Sequence, residues 1–308
     1  MTPHGLPWGD SGGDMPDIKV AIIGLDTSHT IEFTKRFQAP DCSAADKVGG
    51  VKVINCMRFE TPFQNKEGLD KRQKQMEDWG VRVVTDFNEA VINADAIMLE
   101  INDPQLHLEY FKKAAVLSKP VYLDKPLADT AEHGSEILKI AKDKKVKVFS
   151  TSSLRFDAGL ILAAKKIPAP LYTHTYGPLG AAAAGSSIVW YGVHAFEMLV
   201  RVMGKGGTKV FTTKTSSGVV VTIEYPEKRR GVVELTENAW VYGGDLRTND
   251  KAEAFVVDGS VLYTNLCKEI ANFLKTGNSP VPLEETMEVM ALLEAAEKSF
   301  KNGKENIL

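Results

Sequence analysis

The sequence predicts an α/β protein. A doubly wound parallel sheet leads, and an α+β domain with a mainly antiparallel open sheet follows. Two observations predict this. From Ile18 to Ser150 short apolar runs alternate with amphipathic helical stretches, and such alternation calls for a parallel sheet covered by helices on both faces. After Ser150, β-like runs with period-two alternation succeed one another without helices between them, which makes an antiparallel sheet. The expected organisation is a disordered leader over 1–16, a first domain over 17–150 and a second over 151–308.

The leading strands are expected at Ile18–Gly24, Val51–Cys56, Val81–Val84, Ala96–Glu100, Val121–Leu123 and Val146–Phe149, with helices over Pro104–Leu117 and Thr130–Lys142. In the second helix Ile137, Ile140 and Ala141 share a face, while Lys139, Lys142 and Lys144 stay outside it. Beyond Ser150 the pattern reads as helix Leu160–Lys166, strand Leu171–Tyr176 and one helix over Ser187–Met203. Strands Lys209–Thr215, Val219–Tyr225, Gly231–Glu237 and Ala254–Val257 come next. Two closing helices, Tyr263–Lys275 and Leu283–Lys301, are separated by a turn in which Gly277 suits a C-cap.

A chain of 308 residues, 44% of them hydrophobic, can bury the cores of two domains. Its net charge of -3 points to no nucleic-acid surface. The longest basic cluster, Glu227-Lys228-Arg229-Arg230, sits between two strands and reads as a solvated hairpin turn. No apolar stretch is long enough to span a bilayer. Cys42, Cys56 and Cys267 are scattered without metal-like spacing, so reduced thiols in a cytoplasmic protein are expected. Met1 to Asp14 are rich in Gly and Pro and lack an apolar signal core, and Met15 stands near the expected start of the fold.

The most informative segment is Val121-Tyr122-Leu123-Asp124-Lys125-Pro126. It is a buried strand that delivers a lysine at its carboxyl end, where open α/β sheets bind ligands. Lys125 there can donate a proton or clamp a hydroxyl, and Pro126 allows a cis bond that would fix its direction. A solvated strand-end lysine is the bland alternative.

The first βα turn reads Gly24-Leu25-Asp26-Thr27-Ser28-His29-Thr30. A dinucleotide loop wants glycine at the positions of Asp26 and His29, and only Gly24 is present. Thr27, Ser28 and Thr30 can donate hydroxyls to a phosphate above the helix N-terminus, or Asp26 or Ser28 merely caps that helix. After the second strand no ribose-binding acid occurs; Arg58 there suits a 2′-phosphate or is a solvated loop arginine.

Beyond the fourth strand, Asn102, Pro104 and His107 would border a nicotinamide, although a histidine one turn into a helix is more often packed than catalytic. In Trp190-Tyr191-Gly192-Val193-His194-Ala195-Phe196-Glu197, helical spacing sets Trp190 and His194 on one face and Glu197 beside His194. An imidazole with a carboxylate partner is a usable general base near neutral pH, against the reading of a plain core histidine. His174 could join His194, but two histidines do not make a metal site, and no metal is expected.

Taken in order, these segments resemble the glucose–fructose oxidoreductase, inositol dehydrogenase and rhizopine-catabolism (Gfo/Idh/MocA) family. The likeness rests on Val20–His29, Asn102-Asp103-Pro104 through His107, Asp124-Lys125-Pro126-Leu127-Ala128, Gly192-Val193-His194 and the crossover Phe149–Phe156. The resemblance implies a Rossmann-type first domain, NAD or NADP as cofactor, and hydride transfer to or from a sugar, polyol or related hydroxyl compound. It implies that Lys125 hydrogen-bonds the reacting hydroxyl and that His194 takes its proton. Gly24, Asp26, Thr27, Ser28, His29, Arg58, Asn102, Pro104, His107, Asp124 and Pro126 would lie along the cofactor, and Arg155, His174, Trp190 and Tyr191 near the substrate. The altered loop and Trp190, where the family often has an aspartate, motivate two alternatives: a ligand-binding or regulatory protein, or a sugar lyase or hydrolase. An open antiparallel sheet with an apolar face also predicts a homo-oligomer through the second domain.

Overall fold

The computed structural model describes residues 16–308; of the expected leader over 1–16, all but Pro16 lies outside the described residues, as does Met15. The chain opens with β1 (Ile18–Ile23), α1 (Ser28–Gln38), β2 (Val51–Met57), α2 (Lys66–Asp78), β3 (Arg82–Val84), α3 (Phe87–Val91) and β4 (Ala96–Leu99). A 3₁₀ turn at Pro104–Leu106 leads into α4 (His107–Ala115), followed by β5 (Val121–Leu123), α5 (Ala131–Asp143) and β6 (Val148–Phe149). The strands form one parallel sheet in the order β3-β2-β1-β4-β5-β6. The order reverses between β1 and β4, and that switch point at the carboxyl ends is where such sheets take ligands.

Alternate residues of each strand enter opposite cores, as the pleat requires. Ile97, Leu99, Val121 and Leu123 pack with Phe111 and Ile137 of α4 and α5. Ile22, Met98 and Tyr122 pack with Phe33 of α1 and with Ile270 and Phe273 from near the C-terminus.

A 3₁₀ turn at Ser153–Phe156 opens the second half, which continues with α6 (Ala158–Lys166), β7 (Tyr172–Pro178), α7 (Ser187–Trp190), α8 (Val193–Met203), β8 (Lys209–Thr215), β9 (Gly218–Glu224) and β10 (Arg230–Thr236). Then come β11 (Gly243–Arg247), β12 (Ala252–Val256), α9 (Leu262–Thr276), α10 (Leu283–Asn302) and β13 (Asn306–Ile307). The seven-stranded sheet runs β12-β11-β7-β10-β9-β8-β13. It is mixed, because β7 and β10 pair in parallel while the other pairs are antiparallel. Leu199 and Val193 of α8 and Leu292 and Leu293 of α10 cover one face with Val221, Ile223, Val233 and Leu235.

Two sequence expectations change here. The single helix over Ser187–Met203 is two helices, α7 and α8, broken at Tyr191-Gly192. The chain passes so close at Gly192 that a Cβ would stand 2.5 Å from the Ile188 carbonyl oxygen and 2.6 Å from Leu235 Cδ1. Strand β11 was unread because Gly243 and Gly244 erase its alternation. A Cβ at Gly244 would lie 2.2 Å from the His174 carbonyl oxygen, so only glycine lets these strands approach.

Candidate active site

Gly24 ends β1 with φ of +114°, and a Cβ there would stand 2.1 Å from the Glu100 carbonyl oxygen. This tight turn therefore needs glycine. The next two loop positions do something else. Asp26 is buried, and its carboxylate accepts from the Asn102 N–H at 3.0 Å and the Thr61 hydroxyl at 2.7 Å. Burial pushes its pKa up, and those two bonds pull against it. His29, in the first turn of α1, sets Nδ1 2.8 and 2.9 Å from the Asp124 carboxylate oxygens. Thr27 caps α1 by accepting from the His29 N–H at 3.2 Å. Thr30 donates to the Gly24 carbonyl at 3.0 Å, which leaves Ser28 as the exposed hydroxyl of the loop.

Lys125 follows β5, and its peptide bond to Pro126 is cis. Its backbone N–H donates to Asp124 at 2.8 Å. Burial opposes the charge of Asp124, but His29 and Lys125 outweigh it and bring the carboxyl down to about 2. His194 begins α8, and its Nδ1 lies 2.7 Å from Ser152 Oγ, which also accepts from the Leu154 N–H at 3.2 Å. In the tautomer whose Nδ1–H donates to Ser152, Nε2 is the nitrogen that keeps a lone pair. Burial, with repulsion from Lys125 and His29, drives the His194 pKa well below the usual imidazole value despite Asp124. The ring is a neutral base at neutral pH.

Lys125 and His194 line one cleft of about 540 Å³ between the two sheets. Asp26, Thr27, Ser28, His29, Asn102, Trp190 and Tyr191, all expected from sequence, line it too. Trp190 Nε1 donates to Asn102 Oδ1 at 2.9 Å, and its ring meets Phe63 at 5.4 Å. Tyr242 and Tyr263 complete the aromatic walls. Neither was singled out in the sequence, because nothing local marks a tyrosine that arrives from a distant turn or helix. Arg72 of α2 is also on the wall, donating to the Leu25 carbonyl at 3.0 Å.

Several expected residues stand elsewhere. Arg58 pairs with Asp70 at 2.8 Å, so its guanidinium is engaged within its own loop and helix. His107 is fully buried, with Nδ1 2.9 Å from the Pro126 carbonyl and Nε2 2.8 Å from the Ile101 carbonyl, and it ties the ends of β4 and β5 together. Gly24, Asp124 and Pro126 do not line the cleft, and Pro104 lines a second cavity with Gln105 and Trp190. Arg155 is buried against Glu197 at 3.0 Å and against Glu285. Glu197 therefore does not partner His194; it also accepts from the Ser152 N–H at 3.3 Å and so steadies the segment that does. His174 faces the other side of the seven-stranded sheet, 3.3 Å from Glu234 and 3.6 Å from Asp245.

A dinucleotide needs a tight first turn, an open helix N-terminus and no unbalanced negative charge at its phosphates. Gly24 supplies the turn and Ser28 faces the opening. The Asp26 carboxylate is turned into bonds with Asn102 and Thr61, and the Arg72 cation lies on the same wall. The residues fit.

Residues 18–152 match the sequence model of the oxidoreductase family with an NAD-binding Rossmann fold. Solved structures share the whole architecture. Myo-inositol 2-dehydrogenase from Lactobacillus plantarum is 15% identical with a TM-score of 0.77, over 95% of this chain and 100% of that one. Scyllo-inositol dehydrogenase from Lactobacillus casei, with bound NAD(H) and scyllo-inositol, is 14% identical with a TM-score of 0.76, over 95% and 99%. GenD2 from gentamicin A biosynthesis, in complex with NAD, is 12% identical with a TM-score of 0.78, over 100% and 99%. At these identities the likeness is one of fold. No curated protein matches the chain in sequence.

Proposed function

We propose that this chain, whose residues 18–152 match the oxidoreductase family with an NAD-binding Rossmann fold, is a Gfo/Idh/MocA-type enzyme that oxidises a hydroxyl group of a sugar or polyol with a nicotinamide dinucleotide. The observation that carries this reading is the pairing of Lys125 with a neutral, buried His194 in one cleft. Nε2 of His194 takes the hydroxyl proton, while Nδ1–H stays on Ser152 and holds the ring. The Lys125 ammonium donates to the oxygen as negative charge develops on it. The chemistry a bound nicotinamide would supply is that of a hydride acceptor. Thr27, Ser28 and Arg72 would hold the dinucleotide's phosphates, and Asn102 and Lys125 would border its nicotinamide.

Trp190, Tyr191, Tyr242 and Tyr263 offer flat apolar faces with polar edges, which suits a hydroxylated ring. Arg155 is committed to two carboxylates, so it is not offered to an acidic substrate. We take the cofactor to be NAD rather than NADP, because Arg58 is spent on Asp70. Neighbouring structures of 14% and 12% identity carry NAD(H) or NAD.

We also take the chain to be a homo-oligomer through the face of the seven-stranded sheet that no helix among the described residues covers. One register row there runs Phe211, Thr222, Val232, His174, Asp245 and Ala254 across six strands. No helix among the described residues is long and apolar enough to cross a membrane, and the free thiols of Cys42, Cys56 and Cys267 suit the cytoplasm.

Calorimetric titration with NAD⁺, NADH, NADP⁺ and NADPH tests the reading, followed by turnover on a panel of sugars and polyols. Binding of NAD(H) is expected, with Lys125→Met and His194→Asn each lowering kcat by roughly 10²–10⁴-fold in a folded protein. Asp26 at a glycine position favours a non-redox ligand-binding protein as the second reading, and failure of all four nucleotides to bind would select it.

A further inference from the structure

Strands β4 and β5 both run into an acid, Glu100 and Asp124, with 0% and 1% of their surfaces exposed. Asp124 is satisfied by His29 and by the Lys125 N–H. Glu100 is not: among the described residues neither of its side-chain oxygens has a hydrogen-bond partner. A carboxylate buried without partners costs several kcal/mol by a general estimate, so such a group normally meets a cation or takes up a proton. One ligand atom each from His29, Glu100 and Asp124 lie within 4.8 Å of one another. The 2.8 and 2.9 Å separations of His29 Nδ1 from Asp124 come close to the edge of about 3 Å between adjacent ligands of an octahedral ion with bonds of about 2.1 Å. A tetrahedral zinc edge would be longer.

We propose that His29, Glu100 and Asp124 form a buried site for one divalent first-row cation of the Mn²⁺ type. One imidazole and two carboxylates suit such an ion. The ion would displace the proton from Nδ1 of His29.

Glu100 and Asp124 do not line the cleft, and the role of the ion is structural. His29 occupies the glycine position that ordinarily lets the first helix pack close on the strands. Metal ligation would tie α1 to the ends of β4 and β5 in its place. The sequence alone gave no warning, since the three ligands are separated by 71 and 24 positions (100 − 29 and 124 − 100).

The test uses full-length protein stripped with chelator and titrated with Mn²⁺, following loss of the free-ion electron paramagnetic resonance signal and the melting temperature. One tightly held Mn²⁺ per chain is expected, with a rise in melting temperature. Glu100→Gln should weaken binding by at least roughly 100-fold and abolish the rise. If Glu100→Gln does not fold, His29→Ala is the second variant and should show the same loss. Absence of Mn²⁺ binding, or binding that neither substitution changes, overturns the proposal. A Glu100→Gln protein that melts higher without any response to metal also overturns it. That result would make Glu100 a neutral buried acid, the state toward which burial and Asp124 push its pKa. None of these readouts requires a nicotinamide cofactor to bind.

Discussion

His194 illustrates how burial changes the proton affinity of an ordinary residue. An imidazole in water titrates near 6.5, but here burial comes first and the nearby Lys125 and His29 second in driving its pKa well below that. Below about pH 6.5 the unfolded chain takes up a proton at this residue that the folded chain refuses. Stability from this group is therefore present above about pH 6.5 and is lost as pH falls toward the depressed folded value. Urea melts between pH 7 and 5 should show stability falling with pH, and His194→Asn should fall less steeply. Equal slopes would show that the imidazole is not held neutral. The residues that local sequence misjudged are those whose partners are remote or on another face. Arg155 looked available until Glu285, 130 positions away, closed on it. His174 looked like a companion of His194 until the sheet turned it toward Glu234 and Asp245. Lys125 was legible because its strand, its acid and its proline are contiguous.

At the scale of elements, the break between α7 and α8 sets where His194 stands. Periodicity runs through Tyr191-Gly192 without interruption, so the sequence reads one helix. Glu197 then seems to sit beside His194, whereas in the structure its carboxylate turns to Arg155 and Ser152. Gly192→Ala would drive a methyl into the Ile188 carbonyl and Leu235. We expect a loss of roughly 1–3 kcal/mol of stability by urea denaturation. Displacement of His194 should lower kcat by roughly 100-fold. Unchanged turnover in a destabilised protein would show that the break does not position the base. Strands Val121–Leu123 and Lys209–Thr215 were read to the residue, because apolar runs and alternation are local signals. Strand β11 was not, since Gly243 and Gly244 carry no hydropathy pattern at all.

For the whole molecule, one face of the seven-stranded sheet is sealed by α8 and α10, and the other presents Val220, Val232 and Val256, the last 70% exposed. A second copy is the occupant expected for this face. Sedimentation at micromolar concentration should give an oligomer, and Val232→Lys should give monomers with unchanged circular dichroism. A wild-type monomer would remove the proposal. The closing helices show why overall assembly exceeds sequence reading. Phe273 of α9 returns to the first sheet and meets Phe149 at 5.5 Å, while α10 contributes Met290 to the first core and Leu292 to the second. By itself the sequence determined the parallel first sheet, the α+β second half, the family likeness and the lysine and histidine on which the proposed chemistry rests. Each of those follows from periodicity or from contiguous motifs, which act over one strand or one helical turn. Tertiary structure alone decided which cations are free and which are spent, that Ser152 rather than Glu197 holds His194, and that Glu100 is buried unpaired beside His29 and Asp124. Those outcomes depend on burial and on partners far apart in the chain, and no local pattern encodes either.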